Sequence, residues 1–133
     1  MRFCVEIPIR VSDLNYGNHL GYDRLVSILH QSRLKYLQFL GLKEDNIDGT
    51  GMIMKHLEVD YQGEAFFDDL LNVNIEFVPE RTAVKAKYVI TKNDSSQKVA
   101  TAEETILFMN YETKKVKRLP KVFLEVIEGN YFK

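Results

Sequence analysis

Cysteine occurs once in these 133 residues, at Cys4, which excludes an internal disulfide framework and any cysteine-rich zinc site. Cys4 falls in an alternating strand pattern, so a packing role is expected of it rather than a nucleophilic one. An excess of charge of one sign is also missing. Eighteen basic and nineteen acidic residues leave a net charge of −1, and no global field favours nucleic acid. No apolar run approaches membrane-spanning length, and the opening Met-Arg-Phe-Cys-Val-Glu is not a signal-peptide pattern. A cytoplasmic protein with neither a membrane nor a nucleic-acid partner is expected, and no metal site. What is present is the composition of an ordinary globular protein, 45% hydrophobic and 28% charged. The length suits a single domain over residues 1–133, large enough to bury a core without staples.

Two periodicities organise the chain. Phe3, Val5, Ile7, Ile9 and Val11 alternate as one face of a first strand, with Pro8 marking an edge or a bulge. From Tyr22 to Leu40 the spacing turns helical: Leu25, Ile28, Leu29, Tyr36 and Leu40 form a broad stripe and Gly41 follows as a stop. That helix is about 30 Å long at the standard rise. After a polar loop, strands are predicted at Met52–Tyr61, around Leu71–Phe77, around Val84–Ile90 and at Val99–Met109. Pro120 opens a short amphipathic segment with Val122, Phe123, Val126 and Ile127, suited to cover an open end of the sheet. One long helix and a run of antiparallel strands make an α+β domain, and the helix is buried best if the sheet curls around it.

Chemistry concentrates between the first strand and the helix. Asp13, Asn15, Asn18 and His19 lie within seven residues, and Gly17 and Gly21 permit a tight turn. The helix that begins next aims its free N–H groups and positive dipole end at whatever these side chains hold. Such an arrangement suits an oxyanion.

The segment Arg10-x-x-Asp13-x-Asn15 with Asn18-His19, the helix body Leu25–Leu42, Val59-Asp60-Tyr61, Asp68-Asp69-Leu70-Leu71, Val99-Ala100-Thr101-Ala102 and Lys117-Arg118-Leu119-Pro120 occur in this order along nearly the whole chain. The order resembles the hot-dog fold thioesterases, nearest the 4-hydroxybenzoyl-CoA and acyl-CoA branch. The resemblance implies one long helix wrapped by a curved antiparallel sheet of about five strands. It also implies a homodimer or a dimer of dimers, an acyl-CoA substrate, and no cofactor beyond the coenzyme A of that substrate. A backbone N–H at the helix start, from Gly21 or Tyr22 by position, would polarise the thioester carbonyl. In the 4-hydroxybenzoyl-CoA branch the second carboxylate of an Asp-x-Asp performs the chemistry, and here that position is Asn15. An amide can orient a water but cannot attack or take its proton.

The proton chemistry therefore falls to Asp13 or His19, with Asn15 or Asn18 positioning the water. Imidazole suits general-base work near neutral pH. Each residue has a structural alternative: Asp13 as a loop carboxylate accepting backbone N–H groups, His19 as a tie between turn and sheet, the asparagines as turn formers. His56, on the strand expected beside a dimer interface, is a further substrate-binding candidate. His30, Gln31 and Arg33 read equally as boundary residues of the helix or, as the resemblance allows, as residues of the acyl pocket, and of Glu103 and Glu104 one must face the core. Basic clusters at Lys114–Lys121 and at Arg81, Lys85 and Lys87 offer donors to nucleotide phosphates or simply make solvated turns. Two readings compete with thioester hydrolysis: a non-catalytic acyl-CoA-binding module, and an enoyl-thioester hydratase or dehydratase, whose Asp-x-Asn-Pro-x-His is one residue shorter and has a proline.

Overall fold

The computed structural model describes residues 2–131. Its elements follow in the order β1 (Arg2–Pro8), a 3-10 turn (Val11–Asp13), α1 (Tyr22–Leu40), β2 (Gly51–Tyr61), β3 (Leu70–Pro79), β4 (Ala83–Lys92), β5 (Lys98–Asn110), β6 (Lys115–Lys117) and α2 (Lys121–Tyr131). All strand pairs are antiparallel, in the order β1-β3-β4-β5-β2, and the short β6 pairs with the end of β5. This is the α+β architecture expected from the pattern, with six strands rather than about five and a second helix formed by the segment after Pro120.

The helix lies where its stripe requires. Leu25, Ile28, Leu29, Tyr36, Leu37 and Leu40 are buried against inward-facing residues of β3, β4 and β5, among them Leu71, Val73, Ile75, Tyr88, Ile90 and Phe108. Gly41 ends it in the left-handed region at φ 78°, its N–H returning to the carbonyls of Gln38 and Leu37. At this end an aromatic row closes the core. Tyr36 stacks between Phe3 (5.0 Å) and Phe77 (4.6 Å), and Phe123 of α2 reaches Phe77 (5.5 Å) and Phe108 (5.0 Å). That is the covering role expected of the amphipathic segment.

Three local expectations are corrected. Val11 does not continue the first strand: it is 72% exposed in the 3-10 turn, because Asp13 folds back on Arg10 and ends the extended run. Cys4 is exposed, on the outward side of edge strand β1, so it does not pack in the core. Arg33 is not a boundary residue. It is buried, and its Nη1 donates at 2.8 Å to both carboxylate oxygens of the equally buried Glu104, the core-facing member of the Glu103–Glu104 pair. Tyr88 also donates to Glu104, while Glu44 accepts from Arg33 at 2.9 Å and bonds His30 at 2.9 Å. Burial alone would lower the guanidinium's pKa, but Glu104 and its partners hold it above the usual value. The Tyr88 hydroxyl is pushed up by burial and by the same carboxylate.

Candidate active site at the start of the long helix

The loop between β1 and α1 is built on one charge pair. Asp13 is 3% exposed and accepts the backbone N–H of Arg10 at 2.9 Å and two guanidinium bonds from Arg10 at 3.4 and 3.2 Å. Burial alone would raise its pKa, but the Arg10 bonds and the charges of Arg10 and Arg24 hold the carboxyl below its ordinary value. Its backbone works too: the Asp13 carbonyl accepts the N–H of Gly21 at 3.0 Å, tying the loop's start to the helix N-cap. Between these anchors the Asn15 side chain accepts the Gly17 N–H at 2.9 Å, and Asn15 exchanges backbone bonds with Asn18 and His19. Asn18 turns the chain at φ 65°, a conformation that asparagine tolerates.

His19 is fixed by this turn. Its Nδ1 lies 3.3 Å from the Leu20 carbonyl, a group that can only accept, and the tautomer that makes this bond carries its proton on Nδ1 and a lone pair on Nε2. A Cβ built on Gly17 would come within 3.2 Å of Nε2 and 3.3 Å of the Asn15 side-chain oxygen. The glycine thus leaves the imidazole edge open. His19 pairs with Phe66 in an isolated bridge, and the Leu20 N–H donates to the Ala65 carbonyl at 2.8 Å, which brings the loop after β2 across the helix start.

These segments enclose a cleft of about 170 Å³ lined by His19, Gly21 and Tyr22, by Tyr61 and Glu64, and by apolar residues that include Leu25 and Val99. Helix α1 enters it without a side-chain cap, and among the described residues nothing accepts the N–H groups of Tyr22, Asp23 and Arg24. Of the two donors expected at this point, Gly21 is already committed to Asp13, which leaves Tyr22. Tyr22 is further held by Tyr61, whose hydroxyl donates to the Tyr22 carbonyl at 3.0 Å with ring centroids 4.4 Å apart.

Of the expected site residues the cleft gathers His19, Gly21 and Tyr22. Asp13, Asn15 and Asn18 frame it from behind the turn, and His56 lies away from its lining, exposed on β2 just after a register shift. Glu64 belongs to none of the motifs legible in the sequence. A wider groove of about 810 Å³ runs along the other half of α1 beside Leu34, Leu37, Leu42 and Tyr111, but its Glu44 is already engaged by Arg33 and His30. Of the basic clusters, Lys85 is spent on Thr105 at 2.8 Å.

Comparison with known proteins agrees on family and fold. The family model described as the thioesterase-like superfamily matches residues 9–127. The fold superposes on a 1,4-dihydroxy-2-naphthoyl-CoA thioesterase from Synechocystis with a TM-score of 0.88 at 19% identity, covering 96% of each chain. It superposes on a DHNA-CoA thioesterase from Staphylococcus aureus with a TM-score of 0.85 at 19% identity, covering 98% of this chain and 89% of the other. A Staphylococcus aureus protein solved in complex with CoA gives 0.87 at 17% identity, over 99% and 85%. These likenesses establish the hot-dog fold. No curated protein matches the sequence.

Proposed function

This chain belongs to the thioesterase-like superfamily, and from that premise we propose that it hydrolyses an acyl-CoA thioester in the cleft at the start of α1. The observation that carries the reading is the meeting, in one cleft, of an imidazole with an open Nε2 and a helix end whose first N–H groups are unclaimed. The thioester carbonyl oxygen sits at the Tyr22 N–H, where the helix dipole favours the negative charge that grows in the tetrahedral intermediate. A water attacks the carbonyl carbon while His19 Nε2 takes its proton. The C–S bond then breaks, and the departing thiolate recovers the proton from the imidazolium. Asn15 holds the turn that fixes His19. Asp13, already saturated by Arg10, is the frame of the site rather than its base. No cofactor takes part. The CoA-bound and CoA-thioesterase neighbours support the substrate class at the level of the fold.

The reading includes a second copy of the chain. Among the described residues β2 pairs with β5 alone, and Ile53, Met54, His56 and the cleft residue Tyr61 are exposed along it. An open edge of this length with apolar side chains is stabilised by pairing. A homodimer, or a dimer of such dimers, joined there would complete the acyl pocket and place His56 at its rim. Thiol release from a panel of saturated and aromatic acyl-CoAs tests the activity. Turnover of enoyl-CoA without released thiol would instead establish a hydratase, and tight acyl-CoA binding with neither reaction a carrier. Light scattering on the purified chain tests the assembly, with a mass of two or four chains expected.

A further inference from the structure

Across the cleft from His19, the lining includes a carboxylate, that of Glu64. We propose that Glu64 is a catalytic residue: its carboxylate holds the second hydrogen of the attacking water while His19 takes the first. The inference rests on the hydrolytic reading above.

Geometry places the two side chains on one face. His19 and Phe66 form an antiparallel bridge, and the Leu20–Ala65 backbone bond extends the same register by one residue. Carried one step further, that register would set Gly21 opposite Glu64, and with alternating side chains it would make His19 and Glu64 diagonal neighbours on one face, about 7–8 Å apart. That gap admits one water bridging two side chains. Position 21 must be small: a Cβ there would meet an Asp23 carboxylate oxygen at 2.7 Å and the Asn15 Cβ at 3.7 Å. Both His19 and Glu64 line the cleft.

The backbone around Glu64 is held on both sides. Gly63 donates to the Val99 carbonyl at 3.1 Å, and a Cβ there would meet the Lys98 carbonyl oxygen at 2.6 Å, so only glycine fits. Ala65 is buried and its carbonyl receives the Leu20 N–H. Yet among the described residues nothing bonds the Glu64 carboxylate itself. Asp13, by contrast, has three bonds from Arg10 and lies behind the turn. Among the described residues Glu64 is the one carboxylate lining the cleft. The reaction balances with it as an acceptor only: water oxygen joins the carbonyl carbon, one proton passes by His19 to the sulfur, and the other stays with the new carboxylic acid.

Kinetics on the full-length protein with an acyl-CoA substrate it hydrolyses test this. Glu64→Ala is expected to lower kcat about 100-fold with KM within about twofold, because the lost contact is to the water and not to the substrate. Glu64→Gln, which keeps an acceptor oxygen, is expected to lose about tenfold. Added formate should restore part of the Glu64→Ala rate and leave Glu64→Gln unchanged, an effect a structural role would not produce. Unchanged kcat in Glu64→Ala, or a loss that appears in KM and is not relieved by formate, would overturn the role of Glu64 and leave hydrolysis standing. A wild-type protein that binds acyl-CoA but releases no thiol would overturn both.

Discussion

The two ends of α1 have opposite designs. At the C-terminal end the last turn is capped and the core beneath it closed: Gly41 returns its N–H to the last turn, Tyr36 is stacked from both sides, and Phe123 of α2 closes the row. At the N-terminal end Gly21 gives no side-chain cap, three N–H groups have no acceptor among the described residues, and the first of them, that of Tyr22, belongs to a residue lining the cleft beside His19. A glycine N-cap forgoes roughly a few tenths of a kcal/mol that a serine or aspartate cap would contribute. The aromatic row and the Arg33–Glu104 pair supply stability at a distance from the cleft, so the helix start need not be optimised for it. Stability sits at one end and the proposed chemistry at the other.

This division can be broken from either side. The largest stability effect is expected for Glu104→Ala, which strands the buried Arg33 guanidinium and should cost about 3–5 kcal/mol, read as a fall in urea midpoint. Replacing Arg33 and Glu104 together by Met and Leu should restore most of that loss. His19→Ala should reverse the pattern, lowering kcat/KM about 100-fold or more with Tm unchanged within a degree or so. Gly17→Ala, which crowds His19 Nε2 and the Asn15 oxygen, should lose about tenfold in kcat with little change in stability. The smallest effect is expected of Gly41→Ala, about 1 kcal/mol of stability from the left-handed backbone at that position, with no kinetic change.

Acid sharpens the same contrast through Asp13. Its folded pKa is depressed, so the Arg10–Asp13 frame stabilises the fold above the ordinary carboxylate value of 3.8 and loses that contribution as pH falls through the folded value. The drop in Tm between about pH 5 and about pH 3 should therefore be smaller in Asp13→Asn than in wild type.

Most of the fold was legible because it is written in local periodicity. The helix begins and ends where the stripe and Gly41 place it, and the four long strands match their alternating runs to within a residue or two. The departures have local or distant causes. Asp13 folding onto Arg10 ends the first strand before Val11, and the three-residue β6 is too short to show a period. The partner of Glu104 lies 71 residues away, beyond any pattern in the sequence. The site was half legible: the cluster from Asp13 to His19 and the helix start are contiguous, and the cleft forms there. Asp13's saturation and the approach of Glu64 come from side-chain bonds and from the pairing of His19 with Phe66, which no spacing reveals.

The central claim is that the open end of α1 carries the chemistry without carrying the stability. Its most direct test is thiol release from an acyl-CoA by His19→Ala beside wild type, with the Tm of both proteins recorded in the same preparation. The expected result is a rate lower by about 100-fold or more at an unchanged Tm. An undiminished rate, or a loss accompanied by a fall in Tm that accounts for it, would contradict the account.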